Sequence, residues 1–300
     1  MLSSMVCRYA DFSQAWYKAK ECELRIREIY RGHSATEVDF VGRKFWEWCA
    51  IAQALDERAM LRPGRSGLGF AVGTEPLASF FASRGCRILA SDLNPKESNT
   101  GWIERNEHAA CLDAVYHHQL LDRREFDRLV DFQYADMRTL QGLSGTYDFV
   151  WSSCALEHLG SLQAGLDFVL ASASLLRPGG VAVHTTEFNV RSNVDTLETG
   201  DNVIYRQRDI LALSESLKKQ GMTLATPNFD CGDHQFDIDF DRPPYFSSGK
   251  PHIKLELGGH VCTSFMLIVE KSESKVSRKH SPLETLRRLG SRFIAAHPPR

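Results

Sequence analysis

Apolar positions along the chain fall into short β-rich runs bounded by turn residues, alternating with longer stretches at helical spacing. The clearest unit is 66–95, SGLGFAVGTEPLASFFASRGCRILASDLNP. It predicts a strand through Leu68–Val72, a turn at Val72-Gly73-Thr74, a helix over Leu77–Ser83 and a second strand from Cys86 to Asp92. Pro76 suits the first helical turn, where its missing N–H leaves nothing unpaired, and Gly85 suits the helix end. Residues 10–60 read as helices, with Phe12, Trp16, Leu24, Ile29, Phe45, Trp46, Trp48, Ile51 and Leu55 on the apolar side until Pro63-Gly64 breaks the pattern.

Downstream, 94–121 reads as mostly helical and 124–132 as a short helix. FQYADM reads as a strand ending at Asp136, and Tyr147–Cys154 as another. LGSLQAGLDFVLASASLL is an amphipathic helix stopped at Arg177–Gly180, with the strand VAVHTTEF behind it. A helix ending at Gly221, a strand over MTLATPNF and a buried strand over Thr263–Lys271 complete a count of about seven strands. Strands alternating with helices imply an α/β fold with a parallel, doubly wound sheet. The division expected is a helical preface over 1–62, a main domain over 63–271 with an insertion at about 230–262, and a tail over 272–300.

The composition, 43% hydrophobic and 25% charged with a net charge of −2, is that of a globular protein and gives no bulk attraction to nucleic acid. No apolar run is long enough to span a membrane, and the N-terminus shows no secretory pattern. The eight cysteines are scattered with no C-x-x-C pair, so reduced thiols and a cytoplasmic location are expected, without a metal cluster. The tail carries eight bases from Lys271 to Arg300 against Glu273 and Glu284, a net +6 that leaves −8 for residues 1–270. It reads as a solvated segment, or as a basic amphipathic helix that touches a membrane surface or a partner.

Two registers fit the glycines of GLGFAVG. In one, Gly67, Gly69 and Gly73 form a G-x-G-x-x-x-G dinucleotide turn, which requires a strand before Gly67 and places Leu68–Val72 in a loop or helix. An NAD(P)-dependent oxidoreductase or epimerase would follow, but no Tyr-x-x-x-Lys pairs with Tyr17 or Tyr116. In the other register the strand contains Gly67 and Gly69, and Gly73 faces the ligand. Gly69-Phe70-Ala71-Val72-Gly73-Thr74-Glu75 then resembles the first motif of the class I S-adenosylmethionine-dependent methyltransferases, an acid, an apolar residue and G-x-G-x-G. Gly69 stands where that family has its acid, Ala71 where it has the first glycine, and Glu75 where it has the third.

The resemblance continues in order through Asp92, Asp136-Met137, YDFVWSSCALEHL and LLRPGG. It implies a Rossmann-like, seven-stranded, mostly parallel sheet with helices on both faces and an antiparallel last strand. It implies S-adenosylmethionine as cofactor, held by Gly69, Val72, Gly73, Thr74, Glu75, Asp92, Asp136, Met137 and Ser153, with Asp92 at the ribose hydroxyls. The strings RKFWEW, HTTEFN, YRQRDI and HIKLELGG also resemble a bacterial methyltransferase-like group associated with glycan biosynthesis.

The acceptor implied is a small molecule or a sugar hydroxyl, with the preface and the insertion shaping its pocket. An oxygen nucleophile needs a base, and open α/β sheets place ligands at the carboxyl ends of their strands. His158 and Glu187 are therefore the catalytic candidates; Asn189 lies beside them, His184 reads as buried structure, and Cys154 is not needed as a nucleophile. Glu47 is a polar candidate on the preface. Asp237, Asp239 and Asp241 alternate as if on one strand face and suit a solvated face or substrate hydroxyls better than a metal ion. Pro243-Pro244-Tyr245 lies too late in the chain for the N/D-P-P-Y motif of other methyltransferases. A non-catalytic binding protein on the same fold remains the third alternative.

Overall fold

The computed structural model describes residues 1–31, 40–96, 108–247 and 249–273. The predicted tail helix and Trp102 lie outside the described residues.

The chain begins with strand β1 (Met5–Val6), then helices α1 (Ala15–Glu23), α2 (Ile26–Ile29) and α3 (Arg43–Glu57). The α/β part follows as β2 (Ser66–Phe70), α4 (Leu77–Ser83), β3 (Arg87–Asp92), α5 (Arg123–Leu129), β4 (Val130–Tyr134), β5 (Tyr147–Ser152), β6 (Gly160–Ser161), α6 (Leu162–Ser174) and β7 (Leu176–Asn189). It ends with β8 (Thr199–Gly200), α7 (Gln207–Lys219), β9 (Met222–Leu224), α8 (Gln235–Ile238), β10 (Leu255–Leu257) and β11 (His260–Lys271).

The main sheet runs β1-β11-β7-β5-β2-β3-β4, with β9 and β10 also paired to β11. Strands β7, β5, β2, β3 and β4 are parallel, so their carboxyl ends line one edge; β11 is antiparallel to β7. The expected mostly parallel sheet with an antiparallel last strand is present, but nine strands replace seven because the short strands β1 and β10 also bond to β11. The alternation of period two divides the core between the two faces. Phe149, Trp151 and Val183 face α3 and α4; Leu68, Phe70, Val150 and Ala182 face α6 and α7.

Four boundaries differ from the sequence pattern. The helix expected to 132 stops at Leu129, because Val130–Tyr134 bond to Ile88–Asp92 and extend the sheet. Asp136 therefore sits two residues past its strand. Arg177–Gly180 lies inside β7 rather than in a turn. In the described part of 94–121, the helical content is one 3₁₀ turn, Leu112–Val115. The N-terminal segment is joined to the sheet through Met5 opposite Met266 and Val6 opposite Phe265. No described helix is long and apolar enough to cross a membrane.

Candidate active site

The carboxyl end of β2 turns through two left-handed residues, Ala71 at φ 46° and Gly73 at φ 52°. Glycine adopts this conformation freely, whereas alanine does so at a cost of about 1 kcal/mol. The turn is clamped by the next strand. Asp92 Oδ2 accepts the Gly73 and Ala109 N–H groups, each at 3.0 Å, and Oδ1 accepts the Leu93 N–H at 2.8 Å. Burial pushes the Asp92 carboxyl up, and these N–H donors with His108 oppose the shift. Among the described residues Oδ1 has one donor in hydrogen-bond range, and a second lone pair there could take a ligand hydroxyl. Val72 N–H bonds to Ser91 O at 3.1 Å, and Thr74 O meets His117 Nε2 at 3.1 Å.

The departures at 69 and 75 explain one another. Gly67 and Gly69 lie opposite Phe149 and Trp151 of β5. A Cβ on Gly67 would collide with the Phe149 ring, and one on Gly69 would lie 2.7 Å from Trp151 Cε2. A side chain at 69 is therefore excluded by an indole, and the Nε1 of that indole donates to Glu75 Oε1 at 2.8 Å. Glu75 is 6% exposed. Burial pushes its carboxyl up to about 8, against the lowering effect of the Trp151 hydrogen bond and Lys44. Trp48 Nε1 faces the same carboxyl but lacks a hydrogen bond of normal geometry.

Asp136 is half-exposed and held through both oxygens by Arg138, at 2.7–3.0 Å, which keeps it below the usual carboxylate range. Met137 is buried in the second core beside Leu68 and Phe70. Ser153, just past β5, donates to Glu47 Oε2 at 2.9 Å.

That carboxylate is the centre of a buried polar hub. Helix α3 places Glu47 over the carboxyl ends of β5 and β7 and the start of β11. Oε1 accepts from Cys154 Sγ at 3.0 Å and Ser264 Oγ at 2.5 Å; Oε2 accepts from Ser153 and, at 3.1 Å, from Thr185 Oγ1. Arg43 and Lys44 stand 3.4 and 3.3 Å away. Burial alone would push Glu47 up, but the two cations and the hydroxyl and thiol donors hold it down to about 2.

Arg43 also meets Glu187 Oε1 at 2.5 Å. Glu157, fully buried, accepts from Thr186 at 3.2 Å, and burial together with Glu187 raises its carboxyl. Among the described residues, Glu157 Oε1, Glu187 Oε2 and Arg43 Nε are buried here without a hydrogen-bond partner of normal geometry. His158 Nδ1 is 2.8 Å from Asp201 O, so Nδ1 carries the proton, and Nε2 lies 3.9 Å from Glu157 Oε1. Burial lowers the His158 pKa, leaving the ring neutral at pH 7.

Cys154, Glu157 and Glu187 each bring one donor atom within 4.8 Å of the others, a spacing a metal ion could use. Arg43 Nη1, however, lies 3.5 Å from Cys154 Sγ while Nη2 binds Glu187. A guanidinium thus already supplies the local positive charge, and the donor set does not fit an added cation.

His184 is buried, bonded to Ser152 and Ser172, and burial lowers its pKa to about 3. Asn189 bonds to the 191–196 loop. The three alternating aspartates do not share a strand face, because 235–238 is helical. Asp237 accepts the Tyr9 N–H, Asp239 pairs with Lys250, and Asp241 binds His252 at 2.9 Å. Arg43, Glu157, Thr185 and Ser264 were missed as site residues; Glu157 was visible only as the acid of the EHL string.

Residues 68–184 match the family model described as a methyltransferase domain. A curated relative, a malonyl-[acyl-carrier protein] O-methyltransferase from Enterobacter lignolyticus, is 29% identical over 110 residues, covering 37% of this chain and 42% of that protein. The match thus spans less than half of the relative's length. Among solved structures, a putative sarcosine dimethylglycine methyltransferase from Galdieria sulphuraria aligns at a TM-score of 0.46 and 16% identity, covering 75% of this chain and 84% of that one. A magnesium protoporphyrin IX methyltransferase from Synechocystis, with bound S-adenosylhomocysteine, aligns at 0.46 and 14%, covering 87% and 97%.

Proposed function

We propose that this protein, whose residues 68–184 form a class I S-adenosylmethionine-dependent methyltransferase domain, methylates a hydroxyl of a small-molecule or sugar acceptor. The oxidoreductase alternative required Leu68–Val72 outside a strand, and Leu68–Phe70 lie in β2. When bound, S-adenosylmethionine supplies a methyl group on a sulfonium, which departs as a neutral thioether. The Gly73 turn and Asp92 Oδ1 would hold its ribose, and Asp136, two residues past β4, would face its adenine, whereas the Met137 side chain is packed in the core.

The observation that carries the acceptor reading is the group of buried atoms that have no hydrogen-bond partner among the described residues. Glu157 Oε1 and Glu187 Oε2 can each accept from a hydroxyl, and Arg43 Nε can donate to one. Two acceptors and a donor complement a polyol. His158 would take the proton of the reacting hydroxyl at Nε2, which the Nδ1 contact with Asp201 leaves as the basic nitrogen. Ordering the hydroxyl against these groups and excluding water are the protein's share of the chemistry.

Calorimetry with S-adenosylhomocysteine and with NAD tests the cofactor class; binding of NAD instead of S-adenosylhomocysteine would overturn it. Formation of S-adenosylhomocysteine with a panel of polyols and sugars tests the acceptor class. His158→Ala is expected to lower that rate by roughly 10²–10⁴-fold, the usual contribution of a positioned base. An unchanged rate removes His158 from the chemistry.

A further inference from the structure

The polar hub beneath α3 is closed within the protein but open at Lys44. Glu47 is buried and already accepts from Ser153 and Thr185 on one oxygen and from Cys154 and Ser264 on the other. Arg43 is committed to Glu187 at 2.5 Å. The Lys44 side chain, by contrast, is 46% exposed, and its hydrogen bond among the described residues goes to Glu47 Oε2 at 3.3 Å. That is long for a charge-assisted bond, which settles at about 2.7–2.9 Å, and an ammonium has further protons to donate.

The position of this charge runs against local preference. Lys44 follows Arg43 in the first turn of α3, where Gly42 supplies no side-chain cap and the helix dipole disfavours cations. Local rules are broken in this way where a residue serves a ligand. Lys44 also stands between the two halves of the site. Its charge reaches Glu75 in the turn after β2, and Glu157 and His158 behind β5, yet no ion pair joins it to Glu75 or Glu157 among the described residues. Burial opposes the charge on Lys44, but Glu47 holds its pKa above the usual lysine value, so the ammonium persists at pH 7. Of the acids around it, Glu47 is shared with Arg43, Glu187 is neutralised by Arg43, and burial pushes Glu75 and Glu157 toward the uncharged acid. A half-exposed ammonium with donors to spare, in a site whose other charges are paired, complements one carboxylate.

We infer that the acceptor is anionic, with Lys44 binding a carboxylate carried beside the reacting hydroxyl, as in a hydroxy acid or a sugar acid. The inference rests on the acceptor reading above and adds the charge that selects among polyols. Glu157, Glu187 and Arg43 Nε would hold hydroxyls, and Lys44 would fix the charged end.

The test uses the full-length protein saturated with S-adenosylhomocysteine and two probes of one skeleton, D-glucuronate and D-glucose, in calorimetry. The wild type is expected to bind glucuronate roughly 5–20-fold more tightly, and the preference is expected to shrink as salt is raised. Lys44→Gln is expected to bring the two probes within about twofold of each other, with S-adenosylhomocysteine binding retained as the control for folding. Equal wild-type affinities, a preference that survives in Lys44→Gln, or no binding of glucuronate at millimolar concentration overturns the inference. Should Lys44→Gln fail to fold, acetylation of the wild-type protein read by mass spectrometry decides. Glucuronate and not glucose is expected to protect Lys44, and equal labelling with both overturns the contact. Methylation of neutral polyols without regard to charge overturns this inference alone; methylation of no hydroxyl compound of either charge removes the acceptor reading with it.

Discussion

Glu47→Gln removes one negative charge from the hub while keeping the size of the side chain. Glu47 is fully buried and its carboxyl lies near 2, against 4.5 for an ordinary glutamate. That difference is worth about 3 kcal/mol of folding stability. Because the folded-state pKa is depressed, the contribution is complete above pH ~4.5 and is lost as the pH falls through ~2. The variant also leaves Arg43 and Lys44 without their shared counter-charge, a loss of about 3–5 kcal/mol for a buried pair, discounted toward the lower value because Lys44 is 46% exposed. For a chain of 300 residues this corresponds to a fall in Tm of about 5–8 °C at pH 7. The assay is urea unfolding of both proteins from pH 7 down to pH 2.5, followed by tryptophan fluorescence. The stability difference between them is expected to shrink by about 2–3 kcal/mol across the acid half of the range. A difference below about 1 kcal/mol at pH 7, or one that does not change with pH, would refute the account of Glu47 as an ionised anchor.

Gly69→Ala places a methyl against the Trp151 indole and is expected to destabilise by about 1–3 kcal/mol in chemical denaturation; a neutral result would mean the indole can move aside freely. Asp92→Ala is expected to weaken S-adenosylhomocysteine by about 1–3 kcal/mol and also to lower the Tm, since three backbone N–H groups lose their acceptor; unchanged affinity would show that the ribose lies elsewhere. Glu157→Gln is expected to preserve cofactor affinity while raising KM for the acceptor, and a loss of cofactor binding instead would place Glu157 on the wrong side of the site.

Much of the fold was legible because local pattern and tertiary demand agree. The strand–turn–helix–strand unit around Gly73 follows from its apolar run, Pro76 and Gly85, and the structure places β2, α4 and β3 there. The pattern was misleading where sheet pairing overrode local preference. Val130–Phe132 looked like the end of a helix, yet its backbone opens a parallel ladder with β3. The DIDFD segment alternates like a strand, but a helical turn separates its acids and gives each a different partner.

The candidate site divides in the same way. The sequence alone determined the order of strands and turns along the chain, the turn at Gly73, the acid at the end of β3 and the placement of His158 after β5 and of Glu187 near the carboxyl end of β7. These features depend on residues near one another in the chain. Only the tertiary structure decided what those residues touch. Glu47 meets Ser153, Thr185 and Ser264 across separations of more than 100 residues, and no periodicity encodes such contacts. The pairing of Arg43 with Glu187 and the occupation of Asp92 by backbone N–H groups likewise depend on how the helices close over the sheet. The turn at 69–75 shows the division most plainly: the missing acid and the extra glutamate were visible in the sequence, but their common cause, one indole from β5, required the folded neighbour.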